Sequence, residues 1–387
     1  MLRSAIRSPL RQHKRALPAI ILRMKALTFH AGPLALAQIG AQGLRAQDIA
    51  IVPAAAGGPK GLIFQALDGW MFGDWLPSSP RERVLIGSSI GAWRMAAACQ
   101  RDPVKAFARL GELYAGQRYT SKKPTQQQID EVVQGLLGEF VRGHEEDIVN
   151  HPHHRLHLLA VRGKGALAAP GHSRAELRGF AAAALHNACS RARLGRLMER
   201  VVIGDARTKA PWLRERFDAF TTHFSSLTHQ NLAASLLASG TLPLIMKPVT
   251  GIADLPPGSY WDGGLIDYHL ALPYAKAAGE AKGDLVLYPH FTQHIVPGWL
   301  DKGFPWRRAG RAHRHWLDNV LVVAPSSEFL RTLPRGKLPD RADFKFYGLD
   351  HDERIRNWTR AMREGQRLRD ELAEFVTRPD LSRVKPI

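Results

Sequence analysis

The sequence is short of cysteine and of long apolar runs, and each shortage excludes a class of protein. Only two of the 387 residues are cysteines, Cys99 and Cys189, and no CxxC pair occurs. With two cysteines and no CxxC pair, we expect neither a disulfide framework nor a cysteine-based zinc site, and we expect a reducing compartment. The most apolar stretch, residues 232–246, contains serines, a threonine and a proline and is too short to span a bilayer. We predict a buried helix that runs into a turn there, and a cytoplasmic protein.

Acidic residues are scarce relative to basic ones. The chain has 54 Lys and Arg against 35 Asp and Glu, a formal net charge of +19. This excess attracts anionic partners without choosing among nucleic acid, phospholipid headgroups and acidic metabolites. The sequence has no zinc-finger spacing, no aromatic RNA-binding motif and no uninterrupted basic tract, so we expect no specific nucleic-acid partner. Peripheral contact with an anionic membrane surface stays open, and nothing indicates an oligomeric state.

The N-terminal residues 1–25 contain seven basic residues and no acidic residue. Such a composition is typical of a transit peptide or of an arm that lies on a membrane surface. Pro9 and Pro18 would interrupt any helix here. We therefore favour a flexible basic extension, or a chain whose natural start is Met24.

The rest of the chain alternates between short apolar runs and segments with helical spacing. This alternation predicts an α/β protein with a layered sheet and helices on both faces. A C-terminal apolar stripe at helical spacing predicts helices that pack on the core. The predicted strands are 49–55, 83–87, 155–165, 200–207, 283–290 and 319–326, and the stripe comprises Ile355, Trp358, Met362, Leu368, Leu372 and Phe375.

The sequence "GSSIG" (87–91) fits the G-x-S-x-G pattern of a nucleophile elbow, with Ser89 at its centre. Gly87 and Gly91 are needed because the turn from strand to helix is too tight for side chains at those positions. An apolar run precedes the motif and a helix-like run follows it, as the pattern requires. Ser89 would then lie at a helix N-terminus, where the helix dipole favours negative charge.

A glycine-rich loop, "AAAGGPKG" (54–61), lies between the first of these strands and the next helix. A serine acyl-transfer enzyme needs backbone N–H groups that stabilise the oxyanion, and Gly57 and Gly58 could supply them. Pro59 suits the first turn of a helix, where its missing N–H has no intrahelical partner. Lys60 adds a positive charge beside the loop, and Gly61 completes it.

The sequence "YWDGG" (260–264) places Asp262 at the end of a short predicted strand, before Gly263 and Gly264. Asp-Gly-Gly is also ordinary turn chemistry. Beside the other two motifs, a catalytic base is the favoured interpretation of Asp262. We expect desolvation by the aromatic neighbours Tyr260 and Trp261 to raise its pKa.

In this order, the three motifs resemble the patatin-like phospholipase family, and the alanine- and serine-rich segment 233–249 before Asp262 adds to the likeness. The resemblance covers about residues 49–330 and implies a three-layer α/β/α fold with a mainly parallel central sheet. It predicts a catalytic domain over 47–330 and a helical C-terminal extension over 331–387 that packs on it.

The resemblance also implies a Ser–Asp dyad that cleaves carboxylic esters of phospholipids or related acyl lipids through an acyl-enzyme. Ser89 would be the nucleophile, Asp262 the base, and Gly57 and Gly58 the oxyanion hole. No cofactor and no metal ion are expected, and an acyl lipid is the expected substrate. The loop departs from the family pattern because Ala56 stands where the family usually has its first glycine.

The same residues allow other interpretations. An α/β-hydrolase triad would use Ser89, Asp262 and His351, which occur in the required chain order. A catalytically silent lipid-binding module is a second alternative. A dinucleotide site needs the glycine that Ala56 replaces, and a P-loop needs a Ser or Thr after Lys60. The histidines of 151–157 could suggest a metal, but surface or loop histidines are the favoured interpretation.

Overall fold

The computed structural model describes residues 25–168, 173–208, 210–277 and 283–387. The predictions of a basic N-terminal extension and of a start at Met24 therefore fall outside the described residues. Within the described ranges, no helix combines the length and the apolarity needed to cross a bilayer.

The described residues contain ten strands, which form one mixed, mostly parallel sheet in the order β10-β1-β9-β8-β2-β3-β4-β5-β6, with β7 paired to β4. The six longer predicted strands are confirmed within a few residues at each end, and the short strand predicted to end at Asp262 is also confirmed. The strands are β1 Leu27–Ala31, β2 Ile49–Ala54, β3 Arg83–Ser88, β4 His154–Gly163, β5 Met198–Gly204, β6 Thr222–Ser226, β7 Tyr260–Asp262, β8 Leu285–Pro289, β9 Val320–Pro325 and β10 Val384–Pro386.

Helices cover the faces of this sheet, and the predicted three-layer α/β/α fold is confirmed. The predicted buried helix at 232–246 is confirmed as α9 followed by a turn. The helices are α1 Pro33–Gln42, α2 Gln65–Trp70, α3 Ile90–Ala98, α4 Pro103–Ala115, α5 Gln126–Val141, α6 Glu145–Val149, α7 Ser173–Cys189, α8 Pro211–Arg214, α9 Leu232–Gly240, α10 Gly264–Asp267, α11 Tyr274–Ala277, α12 Ala309–Ala312, α13 Ser327–Thr332, α14 Ala342–Tyr347, α15 His351–Glu364 and α16 Gln366–Thr377.

The central strands β2, β3, β8 and β9 are almost wholly buried, as expected for parallel strands covered on both faces. Their side chains are mostly Val, Ile, Leu and Ala, which fit a pleated buried surface. β2 and β3 are parallel neighbours with Ala54 opposite Gly87. The loops that leave their carboxyl ends are therefore adjacent, which brings the glycine-rich loop beside the elbow.

The short strand β7 brings the third motif to the same place. It pairs antiparallel with β4, and Asp262 lies opposite Ala160. β4 in turn runs parallel to β3, with Ser88 opposite Leu159. The sheet thus places the end of β7 next to the end of β3, although the two are far apart in the sequence.

The C-terminal residues pack on the sheet and also extend it. α16 buries Leu368, Leu372 and Phe375, and the Phe375 ring stacks on Phe29 of β1 with centroids 4.2 Å apart. β10 then pairs with β1 in parallel. The division into a domain over 47–330 and an extension over 331–387 stays a prediction.

Candidate active site

The elbow at Ser89 has the backbone geometry that its glycines allow. Ser89 directly precedes α3 and has φ 56° and ψ −129°, a positive φ that non-glycine residues seldom adopt. A Cβ on Gly91 would overlap the carbonyl oxygen of Ala54, and one on Gly87 would meet the backbone of Ala92. The close contact between the elbow and the end of β2 therefore requires glycine.

Ser89 and Asp262 are joined directly. The Ser89 hydroxyl donates a hydrogen bond of 2.8 Å to Oδ2 of Asp262, and both residues are buried. The backbone N–H of Gly264 donates to Oδ1 of the same carboxyl at 2.7 Å. Both carboxyl oxygens therefore have donors, and the side chain is fixed toward the serine.

Ser239 on α9 anchors the elbow from a second side. Its hydroxyl accepts a 2.9 Å hydrogen bond from the backbone N–H of Ser89 and donates a 2.7 Å bond to the carbonyl of Leu159 on β4. Ser239 belongs to the alanine- and serine-rich segment 233–249, but no motif assigns it a role. Its link from α9 to the nucleophile could not be read from the sequence.

The environment of Asp262 raises the pKa of its carboxyl. Burial is the main cause; the charge of Arg341 and the hydrogen bonds from Ser89 and Gly264 act in the opposite direction. The prediction of a raised pKa is therefore confirmed in direction.

The sequence-based prediction that Trp261 helps to raise the pKa of Asp262 is wrong. Successive side chains of a strand point to opposite faces, so the side chain of Trp261 lies on the other face of β7 from that of Asp262. The Trp261 ring contacts Phe180 of α7 and donates to the carbonyl of Leu167, on the other side of β7.

The glycine-rich loop follows β2 directly and leads into a 3₁₀ turn, Gly58–Phe64. Gly58 has φ +57°, in the region that favours glycine. A Cβ on Gly57 would lie 2.6 Å from the Phe291 ring, and one on Gly58 would lie 3.1 Å from Nε of Arg341. Within the described ranges, the N–H groups of Gly57 and Gly58 donate no hydrogen bond to the protein.

The remaining loop residues pack closely around this turn. Pro59 is the second residue of the 3₁₀ turn, where the lack of an N–H is harmless. Lys60 is half-buried, with Nζ 5.1 Å from the centre of the Phe291 ring. A Cβ on Gly61 would lie within 3.3 Å of Ile90, so this glycine lets the turn approach α3.

The methyl group of Ala56, the departure from the family pattern, fits in the structure. Ala56 is buried, and its N–H donates a 2.9 Å hydrogen bond to the carbonyl of Tyr268. Gly264 lies opposite: a Cβ there would be 2.9 Å from Cβ of Ala56. A Cβ on Gly263 would overlap the carbonyl oxygen of Leu159. Gly264 thus provides the room that the Ala56 methyl group needs, and Gly263 allows the close contact with β4.

A family model for patatin-like phospholipases matches residues 64–273, which is more than half of the chain. The chain belongs to the patatin-like phospholipase family. The family acts on acyl lipids as ester hydrolases. The match contains Ser89 and Asp262. It is narrower than the range 49–330 over which the motifs indicated the resemblance, and Gly57 and Gly58 lie before its first residue. No match is found among the curated proteins or among the solved structures.

Two cavities of this patatin-like protein meet at the dyad. The first, of about 300 Å³, begins at Ser89 and has mostly apolar walls. The second, of about 260 Å³, lies on the side of Asp262 and Gly57 and has cationic residues in its wall. Leu242 and Arg341 line both cavities. The apolar cavity includes Trp93, Tyr114, Val133, Leu136, Met246 and Phe344, and the cationic cavity includes Lys60, Lys302 and Arg341.

Arg341 and Lys302 were not found by the sequence analysis. Arg341 precedes α14, and its Nη2 lies 3.9 Å from Oδ2 of Asp262. Both residues lie beyond residue 273, where the family match ends. Neither belongs to a motif, and only the fold brings them to the dyad.

His351 does not join the dyad of this patatin-like protein. It is the first residue of α15, and its Nε2 donates a 2.8 Å hydrogen bond to the carbonyl of Tyr119. Across the described residues, no hydrogen bond links His351 to Ser89 or to Asp262.

The histidines of 151–157 are only partly as expected. The strand predicted at this point is confirmed, but His154 and His157 are buried, so the prediction of surface or loop histidines is wrong for both. Burial lowers the pKa of His157 to about 4. No group of three or more His, Cys, Asp or Glu in the described part of the chain is arranged to hold a metal ion.

Proposed function

We propose that the protein is a serine acyl hydrolase that cleaves carboxylic ester bonds of phospholipids or related acyl lipids through a Ser89–Asp262 dyad. The observation that carries this proposal is the direct 2.8 Å hydrogen bond from Ser89 Oγ to Asp262 Oδ2, at the junction of two cavities. The positive φ of Ser89 supports it, because strained backbone at a reactive residue is typical of functional sites.

The reaction would proceed through a covalent intermediate. Ser89 Oγ attacks the ester carbonyl and passes its proton to Asp262, while the N–H groups of Gly57 and Gly58 stabilise the oxyanion. The leaving alcohol takes the proton from Asp262. Water, deprotonated by the same carboxylate, then attacks the acyl-enzyme, and Asp262 returns that proton to Ser89 Oγ as the acid leaves. The raised pKa of Asp262 supports this role, because a general base works best when its pKa is closer to the working pH.

The apolar cavity is the proposed site of the acyl chain. It begins at Ser89 and has Trp93, Leu136 and Met246 in its wall. Trp93 is fixed there because its Nε1 donates a 2.9 Å hydrogen bond to the carbonyl of Leu236. Each buried methylene contributes about 0.8 kcal/mol, so chain length should influence binding.

We also propose peripheral contact with an anionic membrane surface. The net charge of +19 would attract acidic headgroups. Leu244 and Phe346, both exposed, are chain neighbours of Ile245 and Lys345, which line the apolar cavity. Apolar side chains beside the cavity could enter the lipid surface from which an acyl substrate comes.

Hydrolysis of a short-acyl ester by single-residue variants tests the proposed chemistry. We expect Ser89→Ala to lower kcat by at least about 10³-fold, because a nucleophile has no substitute. Ser88→Ala is the matched control: its buried hydroxyl is unpartnered within the described residues, so its loss should leave the rate near that of the wild type. Product analysis with mixed membrane lipids then identifies the ester that is cleaved and shows whether water or another alcohol accepts the acyl group.

The same assay separates the alternatives. Equal rates for the wild type and Ser89→Ala would contradict the proposal that the protein is a serine acyl hydrolase. They would favour a catalytically silent lipid-binding module. A loss of several orders of magnitude in His351→Ala would favour the Ser–Asp–His triad. We expect His351→Ala to keep most of the activity, since His351 contacts Tyr119.

A further inference from the structure

The cationic cavity contains three basic side chains. Arg341 lies 3.9 Å from Asp262 and acts on its pKa, whereas the proposed dyad chemistry does not use Lys60 or Lys302. Lys60, Lys302 and Arg341 all line this cavity of about 260 Å³, together with Gly57 and Asp262. They come from three separate parts of the chain: the glycine-rich loop, the segment after β8 and the segment before α14.

Aromatic rings hold the two lysines in place. Lys302 Nζ lies 4.2 Å from the centre of the Tyr268 ring and 5.4 Å from that of Trp299. Lys60 Nζ lies 5.1 Å from the centre of the Phe291 ring, and the Tyr268 and Phe291 rings are in edge contact at 6.4 Å. Ring faces attract ammonium groups without neutralising them. Both charges therefore remain available to a ligand.

The carboxylates that line this cavity already have other partners. Asp262 accepts from Ser89 and Gly264. Asp340 pairs with Lys337 at 2.8 Å and accepts from the N–H of Ala342 at 2.9 Å. In the part of the chain that the structure describes, no carboxylate lies within ion-pair distance of Lys60 or Lys302.

The charges also repel one another. Partial desolvation lowers the pKa of Lys302 to about 8, and the positive charges of Lys60 and Arg341 act in the same direction. Desolvation also lowers the pKa of Lys60; the charge of Asp340 opposes this shift, and the charges of Lys337 and Arg341 add to it. An anion between these side chains would relieve the repulsion.

Ser89 lines the apolar cavity, Asp262 and Gly57 line the cationic cavity, and Arg341 lines both. If the acyl chain occupies the apolar cavity, the cationic cavity is the adjoining space for the alcohol half of the ester. We propose that the cationic cavity binds a phosphomonoester carried by the alcohol half of the substrate, an inference that rests on the proposed function. The preferred substrates are then acyl esters of phosphorylated alcohols.

A phosphomonoester suits this site better than a carboxylate does. It carries a charge close to −2 at neutral pH and has three terminal oxygens, so each cation can meet one oxygen. The guanidinium of Arg341 can bind phosphate oxygens in a bidentate manner. A carboxylate offers a single charge and two oxygens. Calorimetric titration with acetate therefore distinguishes carboxylate binding from phosphate binding.

A binding experiment tests the site without any catalytic step. The full chain carrying Ser89→Ala is titrated calorimetrically with sn-glycerol 3-phosphate, inorganic phosphate and acetate. We expect saturable binding of glycerol 3-phosphate, weakened about 10- to 100-fold by Lys302→Gln, because a charged hydrogen bond is lost. Lys302 is exposed at the rim, so the substitution should not affect folding, which a thermal melt checks.

Lys123→Gln is the matched control, because Lys123 is also exposed but lies outside the lining of both cavities. It should bind glycerol 3-phosphate as the parent protein does. Absence of saturable binding, equal loss in Lys302→Gln and Lys123→Gln, or acetate binding as tight as phosphate binding would overturn the proposal.

A kinetic experiment separates a lipid headgroup from free phosphate. With Ser89 intact, kcat/KM is measured for a 1-acylglycerol and for the 1-acylglycerol 3-phosphate with the same acyl chain. We expect the phosphorylated ester to be preferred at least about tenfold, and Lys302→Gln to remove that preference mainly through KM. Equal kcat/KM for both esters, with glycerol 3-phosphate still bound, would overturn the substrate assignment in favour of a free-phosphate site. Failure to cleave either ester would contradict the proposed function, whereas calorimetry would still decide on the anion site.

Discussion

At the scale of single residues, the charge of Arg341 sets the limit on how far burial can raise the pKa of Asp262. The guanidinium lies 3.9 Å from the carboxyl and favours its ionised form, against the desolvation that favours the protonated form. Arg341 is also partly exposed, with 36% of its side chain accessible, so solvent weakens its effect. The pH range in which Asp262 can act as a base therefore depends on a residue outside the three motifs.

We predict that Arg341→Gln raises the pKa of Asp262 further and shifts the acidic limb of the pH profile upward by about 1 unit. The sign follows because loss of a positive neighbour destabilises the carboxylate, so a higher pH is needed to deprotonate the base. The measurement is kcat/KM against pH with a neutral ester, which keeps the anion site out of the comparison.

Arg341→Lys is the control, since it retains the charge and should move the limb less. An acidic limb that stays in place in Arg341→Gln would show that this charge does not act on the base.

The residues that could be predicted from the sequence are those whose chemistry is local. Ser89 and Asp262 lie in short patterns that need only their immediate neighbours, and the structure brings the two together. Arg341 and Lys302 carry no such pattern, because a lone basic residue looks like any surface charge. Their proximity to the dyad follows from the order of the strands.

At the scale of elements, a buried ion pair joins α2, which follows the glycine-rich loop, to α3, which follows the nucleophile elbow. Arg94 of α3 donates to both carboxyl oxygens of Asp68 in α2, at 2.8 and 2.9 Å. Both side chains are almost inaccessible, with 5% and 1% exposed. α2 follows the glycine-rich loop and α3 follows Ser89, so this pair sets the distance between the proposed oxyanion donors and the nucleophile.

We predict that Asp68→Ala lowers the free energy of unfolding by about 3–5 kcal/mol, because it leaves the Arg94 charge buried without a partner. The measurement is chemical denaturation at equilibrium. The double variant Asp68→Leu with Arg94→Met is the informative control: it replaces the pair by apolar groups of similar volume and should recover much of the loss. A single variant as stable as the wild type would contradict a structural role for the pair.

Strands could be predicted where the sheet is buried on both faces, and not at its edges. β8 and β9 are continuous apolar runs and were found within two residues. The edge strands β6 and β10 were missed. β1, which is buried and paired on both sides with β10 and β9, was also missed; its five residues read "LTFHA" and form no continuous apolar run. β6 reads "THFSS" with half-exposed side chains, and β10 has only three residues. An edge strand is defined by the neighbour it pairs with, so its own sequence carries little periodic signal.

At the scale of the whole molecule, the proposed site draws on more of the chain than the sequence suggested. Its residues run from Gly57 to Arg341, whereas the motifs end at Gly264. Arg341 belongs to the C-terminal 331–387, which also contributes β10 to the sheet beside β1. A domain boundary at residue 330, which the family resemblance implies, would separate Arg341 from the cavity that it lines.

The proposed membrane contact combines charge with an apolar surface near the entrance to the apolar cavity. We predict that the protein binds vesicles of phosphatidylcholine with phosphatidylserine more tightly than vesicles of phosphatidylcholine alone. Raising the salt from 0.1 M to 1 M should remove the difference, because the screening length falls from about 10 Å to about 3 Å. Co-sedimentation with vesicles measures both effects.

Substitution of one exposed aromatic residue tests whether this face is the one that meets the lipid. Phe346 is 62% exposed and follows Lys345, which lines the apolar cavity, whereas Leu185 is 66% exposed on α7. We expect Phe346→Ser to weaken vesicle binding by about threefold to tenfold, because an apolar side chain no longer enters the interface. Hydrolysis of a water-soluble ester should change little. Leu185→Ser is the matched control and should bind as the wild type does. Equal weakening by both substitutions would mean that the apolar cavity does not face the membrane, and that general surface hydrophobicity governs the binding.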